Sequence, residues 1–350
     1  GGAGSACARR AAARDSRQAR RRTLGREATM VRRSASRTPY TDLAVETFDP
    51  QRAPDGIRVS SDQRDGIRIT RVHVLDERGR AQVGRPPGTY VTIEAPDLFT
   101  RGPDRQEQAA AVVAEELTRL LRLEPDDPVF VVGLGNWNAT PDALGPRVVD
   151  RLLITRHLQD YVPEDLRGKL RPVSALAPGV LGITGIETSE IIRGIVDRVQ
   201  PKTVIAIDAL AARGLDRILT TIQIADTGIH PGSGVGNHRA GITQETLGVP
   251  VVAIGVPTVV HAVTIATQTV DLLTERLRDR ESIYKVLAGM SAEEERALID
   301  EVLGPTVGDL MVTPKEIDVF IKQAADLLAA SLNHALHPGI TSTDLAEALR

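Results

Sequence analysis

Pro128-Val129-Phe130-Val131-Val132-Gly133-Leu134-Gly135-Asn136 is a short apolar run that breaks into a glycine turn. Such a run, bounded by turn residues, reads as a strand buried on both faces. Helical spacing follows around residues 146–158, so the local order is strand, loop, helix. The alternation continues downstream with a helix over 189–199, a strand over 203–207 ending on Asp208 and a strand over 219–224 ending on Asp226. A strand over 249–254 and helices over 259–276 and 314–335 complete it. Thr313, Pro314 and Glu316 have the form of a helix start, with a cap, a first-turn proline and a reciprocal acid. Upstream, residues 67–74 and 90–93 read as strands and 104–123 as a helix. This pattern predicts the α/β class, a mostly parallel twisted sheet with helices on both faces. Ligands of such sheets lie beyond the carboxyl ends of the strands, where Asp142, Asp208 and Asp226 are expected.

Composition narrows the function. Aromatic residues make up 3% of the 350-residue chain while hydrophobic residues make up 41%, which suits aliphatic packing rather than a surface that stacks on nucleobases. Direct nucleic-acid binding is therefore not expected. The net charge of -3 hides an asymmetry, because residues 1–38 hold eleven Arg against Asp15 and Glu27. That leader has too few large apolar side chains to offset its chain entropy and is expected to be disordered. It reads as an Arg-rich arm or transit peptide, or as sequence preceding a true start at Met30. Residues 39–350 are expected to form one α/β domain. The single cysteine, Cys7, lies in the leader, so the body can carry no disulfide, thiolate metal site or cysteine nucleophile. No run approaches the roughly 18 apolar residues of a spanning helix, and a cytoplasmic protein with no membrane partner is expected.

Several motifs are weak signals. Gly133-Leu134-Gly135 after a strand invites a dinucleotide reading, but Asn138 stands where the third glycine belongs. Gly232-Ser233-Gly234-Val235-Gly236-Asn237 lacks the Lys-Ser/Thr ending of a phosphate loop, and reads better as a close-packed loop bordering a site. Pro231 replaces the glycine that a nucleophile elbow would place before Ser233. The seven histidines form no His-Glu-x-x-His pair, and His230 alone, beside the glycine-rich loop, is kept as a site candidate. Asp226-Thr227-Gly228 matches the tripeptide of pepsin-like proteases, but one copy in an α/β pattern is better explained by chance.

Two aspartates are harder to dismiss. Asp142 sits in a Pro141-Asp142-Ala143-Leu144-Gly145-Pro146 turn before a helix, where capping is the plain alternative. Asp208 ends an apolar strand, where desolvation is expected to raise its pKa. A pair of this kind can hydrolyse an amide: one ionised carboxylate takes a proton from water while its protonated neighbour gives one to the leaving nitrogen. Gly133, Gly135, Asn136, Asp226, His230, Gly232, Ser233 and Gly234 are the candidates to line such a site. A metal-assisted peptidase using Asp142, Asp208 and His230 is one competing reading. A non-catalytic protein, in which the glycine-rich loops hold a small anion and the Arg-rich leader contacts nucleic acid or another protein, is another.

The stretches TDLAVE (41–46), GLGNWNATPDALGP (133–146), LLITRHL (152–158), APGVLGITGIETSEII (177–192), AIDALAAR (206–213), IQIADTGIHPGSGVGN (222–237), GVPTVV (255–260) and LMVTPKEID (310–318) together resemble the germination proteases of spore-forming bacteria. The resemblance implies an atypical aspartic protease that degrades small acid-soluble spore proteins in the spore core, with Asp142 and Asp208 catalytic and no metal or other cofactor needed. It also implies a homotetramer with a phosphorylase/hydrolase-like fold similar to that of the hydrogenase maturation proteases. A zymogen that cuts itself is implied as well, here between Asp42 and Leu43. The segment Thr41-Asp42-Leu43-Ala44-Val45-Glu46 is similar to the Thr-Glu-Phe-Ala-Ser-Glu type of substrate site. The chain departs from the family pattern at His261, where Asp would be expected, in a short segment over 277–295, and in its long leader. Arg156 and Arg213 are candidates for reading the acid before the cut.

Overall fold

The computed structural model describes residues 41–98, 102–161, 169–231, 240–276 and 310–339, with a few positions between 294 and 302. The expected leader, the loop containing Gly232, Ser233 and Gly234, and most of 277–295 lie outside the described residues. Among the described residues nine strands form one sheet: β1 (Ile57–Arg64), β2 (Ile67–Val74), β3 (Gly88–Glu94), β4 (Val129–Gly133), β5 (Val173–Leu176), β6 (Thr203–Ala212), β7 (Thr221–Ala225), β8 (Val251–His261) and β9 (Met311–Val312). The helices are α1 (Glu77–Val83), α2 (Pro103–Leu121), α3 (Leu144–Val149), α4 (Leu181–Thr184), α5 (Thr188–Val199), α6 (Gln244–Leu247), α7 (Ala262–Arg276) and α8 (Ile317–Leu336). No described helix is long and apolar enough to cross a membrane.

The strand order is β1-β2-β3-β7-β8-β6-β4-β5, with β9 paired to the far end of β8. The α/β sheet with helices on both faces is as the sequence predicts, but its strand directions are mixed. Only β5, β4, β6 and β8 run parallel. The wing from β8 through β7 and β3 to β1 is antiparallel.

Alternation along each strand divides the core. Val129, Val131, Ile205, Ile207, Ile222, Ile224 and Ile254 face α2, α3 and α8. Phe130, Val132, Val204 and Ala206 face α5 and α6. Successive side chains of a strand point to opposite faces, so each buried strand needs both covers. That is why these runs carry almost no polar residue.

Several expected boundaries move. The strand expected to end at 254 runs on to His261, so the helix expected from 259 starts at Ala262. β6 does not end at Asp208, because Ala209 to Ala212 stay paired with β8. The helix expected over 146–158 stops at Val149. Thr155 instead donates to Arg171 O and accepts from Val173 N at 2.9 Å, which draws the chain onto the edge of β5. The expected cap at Thr313 is not one: its Oγ1 donates to Thr258 O on β8 at 2.8 Å, and the helix begins after Glu316.

Candidate active site

The site starts where β4 ends. Leu134 N donates to Ile207 O of β6 at 2.8 Å, and the chain then loops back over its own strand. A side chain at Gly133 would stand 2.2 Å from Gly145 O, so this glycine admits the start of α3. Gly135 has φ +109°, and a Cβ there would lie 2.0 Å from Asp142 O. Asn136 N donates to Asp142 Oδ2 at 2.8 Å, and Thr258 Oγ1 of β8 donates to Pro141 O at 2.8 Å. The glycine turn is thus a mould for the 3-10 turn Thr140–Asp142 that carries the aspartate.

Asp208 lies within β6 and is 6% exposed, with Oδ1 accepting from Ala209 N at 2.9 Å. Asp142 and Asp208 both line one cleft of about 240 Å³, together with Gly135, Thr258 and Pro231. Asp42 lines that cleft too. It is held beside the end of β6, its N donating to Ala211 O at 3.0 Å and its Oδ2 accepting from Ala211 N at 2.9 Å.

The rest of the segment is fixed as tightly. Leu43 is fully buried against Leu210, Ala212 and Val260. Gln223 Nε2 donates to Asp42 O at 2.7 Å, and Ala44 N donates to Gln223 Oε1 at 2.7 Å. Glu46 Oε2 accepts from Arg213 N and Oε1 from Gly214 N, each at 2.8 Å. Arg217 Nε adds an ion pair to Glu46 at 3.3 Å. Thr41 Oγ1 also donates to the Glu46 carboxylate, and Arg85 donates to Thr41 O.

Other sequence candidates scatter. Asp226 is not carried to the cleft, because β7 runs antiparallel to β8 and its carboxyl end therefore points away from those of β4 and β6. Its carboxylate instead accepts from Thr89 N at 2.7 Å. His230 lines a second, smaller cavity of about 60 Å³ that Asp42 and Gln223 share. Arg156 is exposed on the 3-10 turn Arg156–Tyr161. Arg213 serves Glu46 through its backbone N, and its Nη1 donates to Glu46 O at 3.0 Å. Among the described residues, no three His, Cys, Asp or Glu side chains gather closely enough to hold a metal ion. Gln223 and Thr258 escape a motif-based reading. Their signal is a single polar residue inside an apolar run, Ile222-Gln223-Ile224 and Pro257-Thr258-Val259.

Comparison with known proteins gives a consistent picture. A germination protease from Caldanaerobacter subterraneus is 53% identical over 315 residues, covering 88% of this chain and 97% of that one. The germination protease of Clostridium acetobutylicum is 45% identical over 317 residues, covering 87% of this chain and 97% of its own. That of Bacillus subtilis is 44% identical over 346 residues, covering 86% and 94%. Among solved structures, a NiFe hydrogenase maturation protease from Thermococcus kodakarensis is 22% identical, covering 41% of this chain and 80% of that one with a TM-score of 0.28. That likeness is too slight to bear on the site. The family model described as germination protease matches residues 40–278 and 274–348, so the chain from the buried Asp42 segment to its last helix belongs to the germination protease family.

Proposed function

We propose that the chain is an endopeptidase made as a zymogen, which cuts itself between Asp42 and Leu43 and then degrades small acid-soluble spore proteins. Asp142 and Asp208 act as a pair. One carboxylate takes a proton from water as its oxygen attacks the Asp42 carbonyl carbon. The other then protonates the Leu43 nitrogen, and the C–N bond breaks to leave a new carboxylate and a new amine. Assistance of this kind accelerates hydrolysis by roughly 10²- to 10⁴-fold. The working enzyme is read as a homotetramer of the spore core that needs no metal, a reading that rests on the family alone.

The observation that supports this proposal is the position of Asp42. The residue before the expected cut forms part of the same cleft wall as the two carboxylates, and its backbone N and O are tied to Ala211 of β6 and to Gln223. A segment bound this way is a substrate already oriented.

Intact mass against time at mildly acidic pH tests the proposal, using the full chain alongside Asp142→Asn and Asp208→Asn. The parent should lose residues 1–42 and both variants should stay whole. A parent that never shortens, or variants that shorten equally fast, would overturn it.

A further inference from the structure

Asp208, Gly255 and Gln223 stand level on three adjacent strands, Asp208 paired with Gly255 and Gly255 with Gln223. Alternation puts all three on one face of the sheet: Ile207, Ile222, Ile224, Ile254 and Val256 belong to the core on the other face. With strands about 4.8 Å apart, Asp208 and Gln223 are separated by roughly 10 Å, and the residue between them has no side chain. The Leu210 side chain fills that gap, its Cγ 2.7 Å from where a Gly255 Cβ would stand, and Leu43 packs against Leu210. Asp42 and Leu210 line both of two cavities, one lined also by Asp142 and Asp208 and the other by Gln223 and His230.

We infer that Gln223 is a catalytic residue of this site, whose side-chain N–H holds the carbonyl oxygen before the scissile bond and stabilises the charge that develops on it. The inference rests on the proposed cut between Asp42 and Leu43. When water attacks the carbonyl carbon from the carboxylate side, the oxygen takes up negative charge, and a donor already in place needs no reorganisation to meet it. Gln223 Nε2 is 2.7 Å from that oxygen and the residue is 8% exposed, so the bond forms where water screens little. The orientation of the amide is fixed by its other end. Oε1 accepts from Ala44 N at 2.7 Å, and exchanging the oxygen and nitrogen would set donor against donor on one side and acceptor against acceptor on the other.

An anchoring role alone would tie the segment down equally before and during the reaction, whereas a donor to the oxyanion acts on the rate of the chemical step. Self-shortening separates the two, because the segment is bound before the reaction starts. The first-order rate of shortening is measured by intact mass for the parent, Gln223→Leu and Gln223→Glu, with hydrogen exchange at the amides of Asp42, Arg213 and Gly214, which bond between the segment and the body without Gln223, reporting whether the segment stays docked. For Gln223→Leu the rate should fall roughly 100- to 1,000-fold, the usual effect of removing one such donor, with protection at Asp42, Arg213 and Gly214 retained. The Glu variant can donate only when its carboxyl is protonated, so its rate relative to the parent should recover as pH falls. A Leu variant that shortens at the parent's rate overturns the role of Gln223 while leaving the cut site standing. Loss of rate together with loss of protection overturns it in favour of anchoring. A parent that never shortens at this bond removes the cut site and the inference with it.

Discussion

Gly135 combines a φ of +109° with an Asp142 carbonyl 2.0 Å from where a Cβ would stand. Alanine is strained in that backbone region and would also push the Thr140–Asp142 turn away. A displacement of about 1 Å at a reacting group can cost on the order of 100-fold in rate. Gly135→Ala should therefore slow self-shortening by about that factor while the far-UV circular dichroism stays that of the parent. Shortening at the parent's rate would mean that the turn does not position Asp142. The glycine pair was visible in the sequence, but its use was not. A turn that approaches a phosphate and a turn that approaches another backbone demand the same absence of Cβ, and only the contact partner, Asp142 O, tells them apart. Gln223 was illegible for a different reason, since a strand's register with its neighbours decides what one polar side chain faces.

At the level of elements, strand existence was readable and strand direction was not. The runs Val204 to Ile207 and, apart from Gln223, Ile222 to Ala225 are both apolar, yet one strand is parallel to β8 and the other antiparallel. That difference alone sends Asp226 away from the cleft. The antiparallel wing is fastened by a charge cluster on α2. Glu116, 2% exposed, takes two hydrogen bonds from Arg71 of β2, at 2.8 Å and 2.5 Å, and one from Arg119 at 2.9 Å. Removing one partner of such a pair strands the other. Glu116→Ala should cost about 2 to 3 kcal/mol, below the full range for buried pairs because Arg71 and Arg119 keep some access to water. The Arg71→Met, Glu116→Leu double variant should recover much of that loss. Urea unfolding of the three proteins checks both statements, and a double variant no more stable than the single one would show that the cluster is worth more than its packing.

For the whole molecule, the pH at which the fold holds limits the pH at which the site can be used. His337 closes α8 and is fully buried, with Nε2 3.3 Å from Leu153 O and Nδ1 without a hydrogen-bond partner. Burial pushes its pKa down to about 4, and the nearby Arg171 guanidinium adds to the shift against the Leu153 hydrogen bond. The unfolded chain, with a histidine near 6.5, takes up this proton first as the solution is acidified. Stability from this group is therefore complete above pH 6.5, falls as pH drops towards 4, and changes no further below that. The shift corresponds to at most about 3 kcal/mol across the window. Mildly acidic pH, where paired carboxyls can share acid and base roles, is thus also where the fold begins to lose stability through this group. His337→Gln should flatten the fall in unfolding free energy between pH 6.5 and 4 relative to the parent, measured by urea titration at several pH values. Parallel curves for the two proteins would mean that His337 is not protonated on unfolding, and that the acid limit of the fold is set by carboxylates elsewhere.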